Sequence, residues 1–110
     1  MSTPQRPRTV SEFANDPEMA ELVELFVSEM PDRVSALQRA WGERQIPDLT
    51  RLSHQLKGAS AGYGFPTIGQ AAAVLEAELR RIGSAAAQVD SLARQFQELV
   101  DLCSSASSKA

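Results

Sequence analysis

His54 is the only histidine in 110 residues, and Lys57 and Gly58 follow it within one helical turn. Each helical residue advances ~100°, so Lys57 stands a turn along and about 60° round from the imidazole. A solvent-facing imidazole titrates near ~6.5, so much of it is neutral and nucleophilic at cell pH. Such a ring can accept a phosphoryl group and hold it covalently. A lysine beside it offers a point charge to the incoming oxygens. Gly58 costs a helix about 1 kcal/mol relative to alanine. Close approach by a partner's backbone and phosphate is the natural reason to accept that cost, since a larger side chain would stand beside the ring.

Where the ring points depends on the helix that carries it. Leu49, Leu52 and Leu56 fall within about 60° of one another and define a buried stripe, with Tyr63 on the same side. His54 then lies roughly 165° from the stripe's centre, flanked by Gly58 and Ala61. Ser60 falls about 40° from that centre and reads as a packing residue. A lone helical histidine is ordinarily a plain surface residue, and Lys57 alone would be a solvated lysine. Their case rests on standing together beside a glycine that faces away from the leucines.

Composition narrows what surrounds this platform. A chain this long is one domain with a single core. Hydrophobic residues reach 43% and aromatics only 5%, so the core is aliphatic. No alternating β-branched runs appear, which favours an all-α fold. A net charge of −3 argues against general nucleic-acid binding. No apolar run approaches the ~20 residues of a membrane span, and the N-terminus lacks the apolar core of a secretory signal. Cys103 has no partner for an internal disulfide and lies on an apolar stripe, which predicts a core residue and a cytoplasmic home.

Taken in order, residues 1–8 are polar and Pro-containing and predict a mobile tail. Thr9 and Glu12 fit a capping box, giving a short lead-in helical turn over Ser11–Ala14. Asp16-Pro17 then starts a longer helix. Met19, Leu22, Val23, Phe26, Met30, Val34, Leu37 and Trp41 keep one phase across Pro31. That favours a single helix over about 17–43 bent at the proline, with a break and restart at Pro31 as the alternative. A turn at residues 45–48 precedes the helix from Leu49 to Tyr63. Gly62 and Gly64 serve the next turn, and Pro66 opens a third helix burying Ile68, Ala71, Ala72, Leu75, Leu79 and Ile82. Gly83 stops it and Ser84 caps a fourth, whose apolar face is Val89, Leu92, Phe96, Leu99, Val100 and Cys103. The expected architecture is an antiparallel up-down four-helix bundle over residues 9–103, with a fraying Ser-rich tail over 104–110.

The stretch His54-Gln55-Leu56-Lys57-Gly58-Ala59-Ser60, followed by Gly64 and by Leu75-Glu76, resembles the signature of histidine-containing phosphotransfer (HPt) domains. That pattern runs His, any residue, an apolar residue, Lys, Gly, any residue, Ser or Ala, then a glycine and a Leu-Glu pair in the next helix. The likeness reaches back to Phe26 and the Pro31 helix and covers nearly the whole globular part. It implies that His54 is phosphorylated with Lys57 and Gly58 in support. The partners it implies are receiver domains of response regulators or hybrid sensor kinases. The receiver brings an aspartate and a bound Mg2+, so the bundle needs no metal of its own. Glu76, from the Leu-Glu pair, either lies across the hairpin near the platform or is an ordinary solvated glutamate.

Other chemistries lack residues. A lone histidine without a second His or paired Cys makes a poor zinc site. No Gly-rich phosphate loop appears, so the chain has no means of drawing a phosphoryl group from ATP. The leading reading is a phosphocarrier, not an enzyme, that docks receivers through a surface around Ile46, Pro47, Gln55 and Ala61. A binding-only helical adaptor, docking receivers or kinases without carrying phosphate, is the alternative, and an aid to a partner's dephosphorylation is a weaker third. No spare apolar face is evident, which predicts a monomer.

Overall fold

The computed structural model describes residues 8–109. The expected N-terminal tail therefore lies, apart from Arg8, outside the described residues. Five α-helices carry the fold: α1 (Ala20–Ser28), α2 (Met30–Gly42), α3 (Ile46–Gly62), α4 (Pro66–Ile82) and α5 (Ala93–Ser104). A 3-10 helix, Ala86–Leu92, leads into α5. Two short strands, β1 (Thr9–Val10) and β2 (Ala106–Ser107), pair in parallel at the ends of the chain.

Together α1 and α2 form the long, bent first helix of a four-helix bundle. Proline has no N–H to give and its ring crowds the carbonyl four residues back. The interruption falls just before it, at Glu29, which keeps right-handed dihedrals (φ −83°, ψ −13°). The Glu29 N–H is shared between the Leu25 and Phe26 carbonyls, and the Glu29 carbonyl accepts from Arg33 N–H at 3.0 Å, so the ladder resumes at once. The regular helix begins at Ala20 rather than residue 17. Asp16 still acts as a cap, its Oδ1 accepting the Glu18 N–H at 2.9 Å, but within a turn that precedes the helix.

Ser11–Ala14 forms the expected lead-in turn, the Ala14 N–H reaching the Ser11 carbonyl at 3.1 Å, without the capping box. Thr9 is taken by the strand pair and by the Ser105 hydroxyl at 2.6 Å, so it does not cap anything. Ser11 is buried instead, donating to the Tyr63 carbonyl at 2.6 Å and accepting the Phe13 N–H at 3.0 Å. The C-terminal stretch is paired as far as Ser107: Thr9 N–H reaches the Ser105 carbonyl and Ser11 N–H the Ser107 carbonyl, at 2.8 and 3.2 Å. Backbone groups that solvent would otherwise satisfy are paired between the two ends.

The α3 helix begins at Ile46, with Pro47 in its first turn, so the expected turn over 45–48 is mostly helix. Ser84 does not cap the fourth helix; Ala85 precedes the 3-10 segment without a side-chain cap. Val89 and Leu92, both buried, are three residues apart, a spacing that a 3-10 helix stacks on one side. The core collects Val23, Phe26, Leu37, Leu49, Leu56, Phe65, Ile68, Leu75, Leu79 and Leu99 from all the helices. Phe26 stacks on Tyr63 and Phe65 with ring centroids 4.9 and 5.4 Å away. Trp41 lies flat on Phe96 at 4.4 Å, joining α2 to α5. One residue expected inside, Leu22, is 46% exposed, and Leu25 beside it is exposed as well. Among the described residues no helix is long and apolar enough to cross a membrane.

Candidate functional site

The side chains of interest sit where α3 and α4, the most closely associated pair of helices, run beside each other. On α3 the buried positions are Ile46, Leu49, Ser53, Leu56 and Ser60. Taking these five residues in place of the three leucines moves the centre of the buried stripe by roughly 45°. Leu52 consequently becomes half-buried, and His54 stands roughly 120° from the centre, outward but leaning to the α4 side. Its side chain is 64% exposed.

That lean brings the imidazole to Glu76. His54 Nδ1 lies 2.9 Å from Glu76 Oε2. The same oxygen accepts from Arg80 Nη2 at 2.8 Å and Nε at 3.1 Å. The other carboxylate oxygen lies 3.7 Å from Lys57 Nζ. Glu76 is almost wholly buried, while the three groups that meet it are mostly in solvent. Its pKa lies below the ordinary value of 4.5, first because Arg80 donates to it, then, after an opposing push from burial, because of the bond and charge of His54. An ionised carboxylate only accepts hydrogen bonds, so the ring meets it with Nδ1 protonated. In the neutral form of the ring Nε2 then carries the free lone pair. Glu76 also places a negative charge where positive charge would develop on the ring during attack.

Gly58 is exposed, and an added Cβ would meet nothing within 4 Å. Internal packing thus does not require the glycine. Pro47, His54, Gly58 and Ala61 form one exposed row within about 60° of one another. Gln55 is exposed but about 100° round from His54, off that row. Ile46 does not belong to an open docking surface: it is 6% exposed, because it opens α3 on the core side. Ser60 packs inside, as expected, and donates to the Leu56 carbonyl at 2.6 Å. Gly64 does more than turn the chain. It has φ +84°, and a Cβ there would come within 2.5 Å of Ser11 Oγ and 2.9 Å of Glu12 N.

Arg80 is the residue that sequence reasoning missed. Its signal was its position four residues beyond Glu76, one turn along the same face of α4. Cys103 is buried, and burial pushes its thiol up to about 12, so it is an inert core residue.

Comparison with known proteins points the same way as the geometry. No curated protein and no solved structure matched the chain. The family model described as Hpt domain matches residues 21–108, from the second residue of α1 to just past β2. Over that span the chain belongs to the Hpt domain family, whose members are phosphocarriers in two-component signalling.

Proposed function

We propose that the chain is a phosphorelay intermediate that carries a phosphoryl group on Nε2 of His54. The observation that carries this reading is the 2.9 Å contact between Nδ1 and buried Glu76, which supports the Nδ1–H form of the neutral ring, with Nε2 as the nucleophile. The donor is the phospho-aspartate of a receiver domain in a response regulator or hybrid sensor kinase. Nε2 attacks phosphorus in line with the aspartyl oxygen; the Nε2–P bond forms as the P–O bond breaks, and the departing carboxylate keeps the electron pair. The proton on Nδ1 stays against Glu76, which offsets the positive charge on the phosphorylated ring. Reversal delivers the group to another receiver's aspartate. The Mg2+ belongs to the receiver, and the exchange takes place in the cytoplasm.

Lys57 and Arg80 supply two positive charges against the one negative charge of Glu76, a net of +1 before loading. The phosphorylated ring adds one more positive charge and the phosphoryl group about −1.5 to −2, so the loaded cluster ends close to neutral. Gly58, Pro47 and Ala61 offer small side chains along the approach, suited to a brief and modest contact.

The test is acid-labile radiolabel transferred from a phosphorylated receiver to the wild type and to His54→Gln. The wild type takes up label; the variant takes up none and melts at nearly the same temperature, because the ring is exposed. A wild type that binds the receiver but stays unlabelled would make the chain a binding-only adaptor. Receiver phosphate lost to solvent, with no transient label on this chain, would make it an aid to dephosphorylation.

A further inference from the structure

The shared oxygen of Glu76 raises the question of what Arg80 does there. Its neighbour Arg81 gives a comparison within the same helix. Arg81 pairs with Glu78 through Nε and Nη2 at 2.9 and 2.8 Å, an exposed pair in which, among the described residues, no third group takes part. Arg80 uses the same two nitrogens, but on an oxygen that also holds the imidazole, and on a carboxylate that is buried. A carboxyl group in that position has two ways to fail the ring. It can take up a proton to escape the cost of burial, or it can rotate and leave Nδ1 without an acceptor. Two donors from one rigid guanidinium oppose both, because they require a charged acceptor and fix where Oε2 sits. Lys57 cannot replace them: it faces the other oxygen, at 3.7 Å.

A neutral histidine side chain in water favours its proton on Nε2. Which ring nitrogen keeps the proton in a protein follows from the hydrogen bond that the other one makes. We infer that Arg80 is a positioning residue: by fixing Glu76 Oε2 it holds His54 in the Nδ1–H form and so keeps Nε2 free to accept the phosphoryl group. The inference rests on the phosphocarrier reading above, and in it Arg80 acts through Glu76.

The chain's single histidine makes the test direct, since imidazole ¹⁵N NMR of the unphosphorylated protein at a pH where the ring is neutral reports one ring only. In the wild type Nδ1 is the protonated nitrogen. In Arg80→Ala the signals move toward the Nε2–H form, and the labelling rate falls roughly tenfold, the lower end of what outer hydrogen-bond partners of a working imidazole contribute. Arg80→Lys restores part of both, while Arg81→Ala, which breaks only the exposed pair, changes neither. An unchanged ¹⁵N pattern in folded Arg80→Ala would overturn the inference, as would an equal shift in Arg81→Ala. A wild type that takes up no label would overturn the phosphocarrier reading instead; the ¹⁵N arm still decides the role of Arg80 in that case.

Discussion

Glu76 has a single carboxylate facing one imidazole and two cations, so its charge and its shape can be separated by one substitution. Glu76→Gln keeps the shape. Because the folded-state pKa is lowered, the ionised group stabilises the fold above the ordinary value of 4.5, and that contribution is lost as pH falls through the folded value. Near neutrality the wild type should exceed Glu76→Gln by about 1 kcal/mol in urea unfolding. The gap should narrow below pH 4.5 and close once Glu76 is protonated; a gap that widens in acid would contradict the lowered pKa. Cys103 behaves in the opposite sense: a thiol pushed up to about 12 stays protonated, so a thiol reagent in mild alkali should modify it only after denaturant is added. Rapid modification of the native chain would show that α5 opens locally.

At the scale of the element, the two glycines around α3 should respond in opposite directions. Gly58→Ala adds a methyl into open space on a helix and should stabilise the fold by about 0.5–1 kcal/mol. Gly58→Arg should leave the fold intact and block transfer by crowding the ring's approach. Gly64→Ala should cost about 2 kcal/mol or more, from the left-handed backbone and from contact with Ser11 and Glu12. Chemical denaturation of the three variants checks the ordering. These elements also show what could be read in advance. Leucine spacing was enough to turn His54 outward and to find the apolar faces of α4 and α5. It missed the lean toward Glu76, because Ser53 and Ser60 look polar in a sequence yet are buried, Ser60 hiding its hydroxyl by bonding back to its own helix. Strands of two residues carry no periodicity, so the pairing of β1 with β2 left no trace to read. Leu22 kept the phase of its neighbours, but among the described residues that side of α1 stays uncovered.

For the whole molecule, the ends of the chain form a clasp. Strand β2 holds β1, and the residues after β1 hold the α3–α4 turn through Ser11 and through the Glu12 N–H, 2.8 Å from the Gly64 carbonyl. Removing residues from Ser105 onward should free both and lower Tm, by about 4 °C for each kcal/mol lost in a domain of this size. Cleavage between Thr9 and Phe13 under limited proteolysis should rise in parallel. An unchanged Tm would mean that the clasp adds nothing to the bundle's stability. The stacking of Trp41 on Phe96 has a practical consequence as well. Trp41 is the chain's only tryptophan, and it sits where α2 meets α5 while the imidazole faces α4. Its emission is therefore a built-in optical gauge of bundle closure, able to follow unfolding in every variant proposed above without a dye.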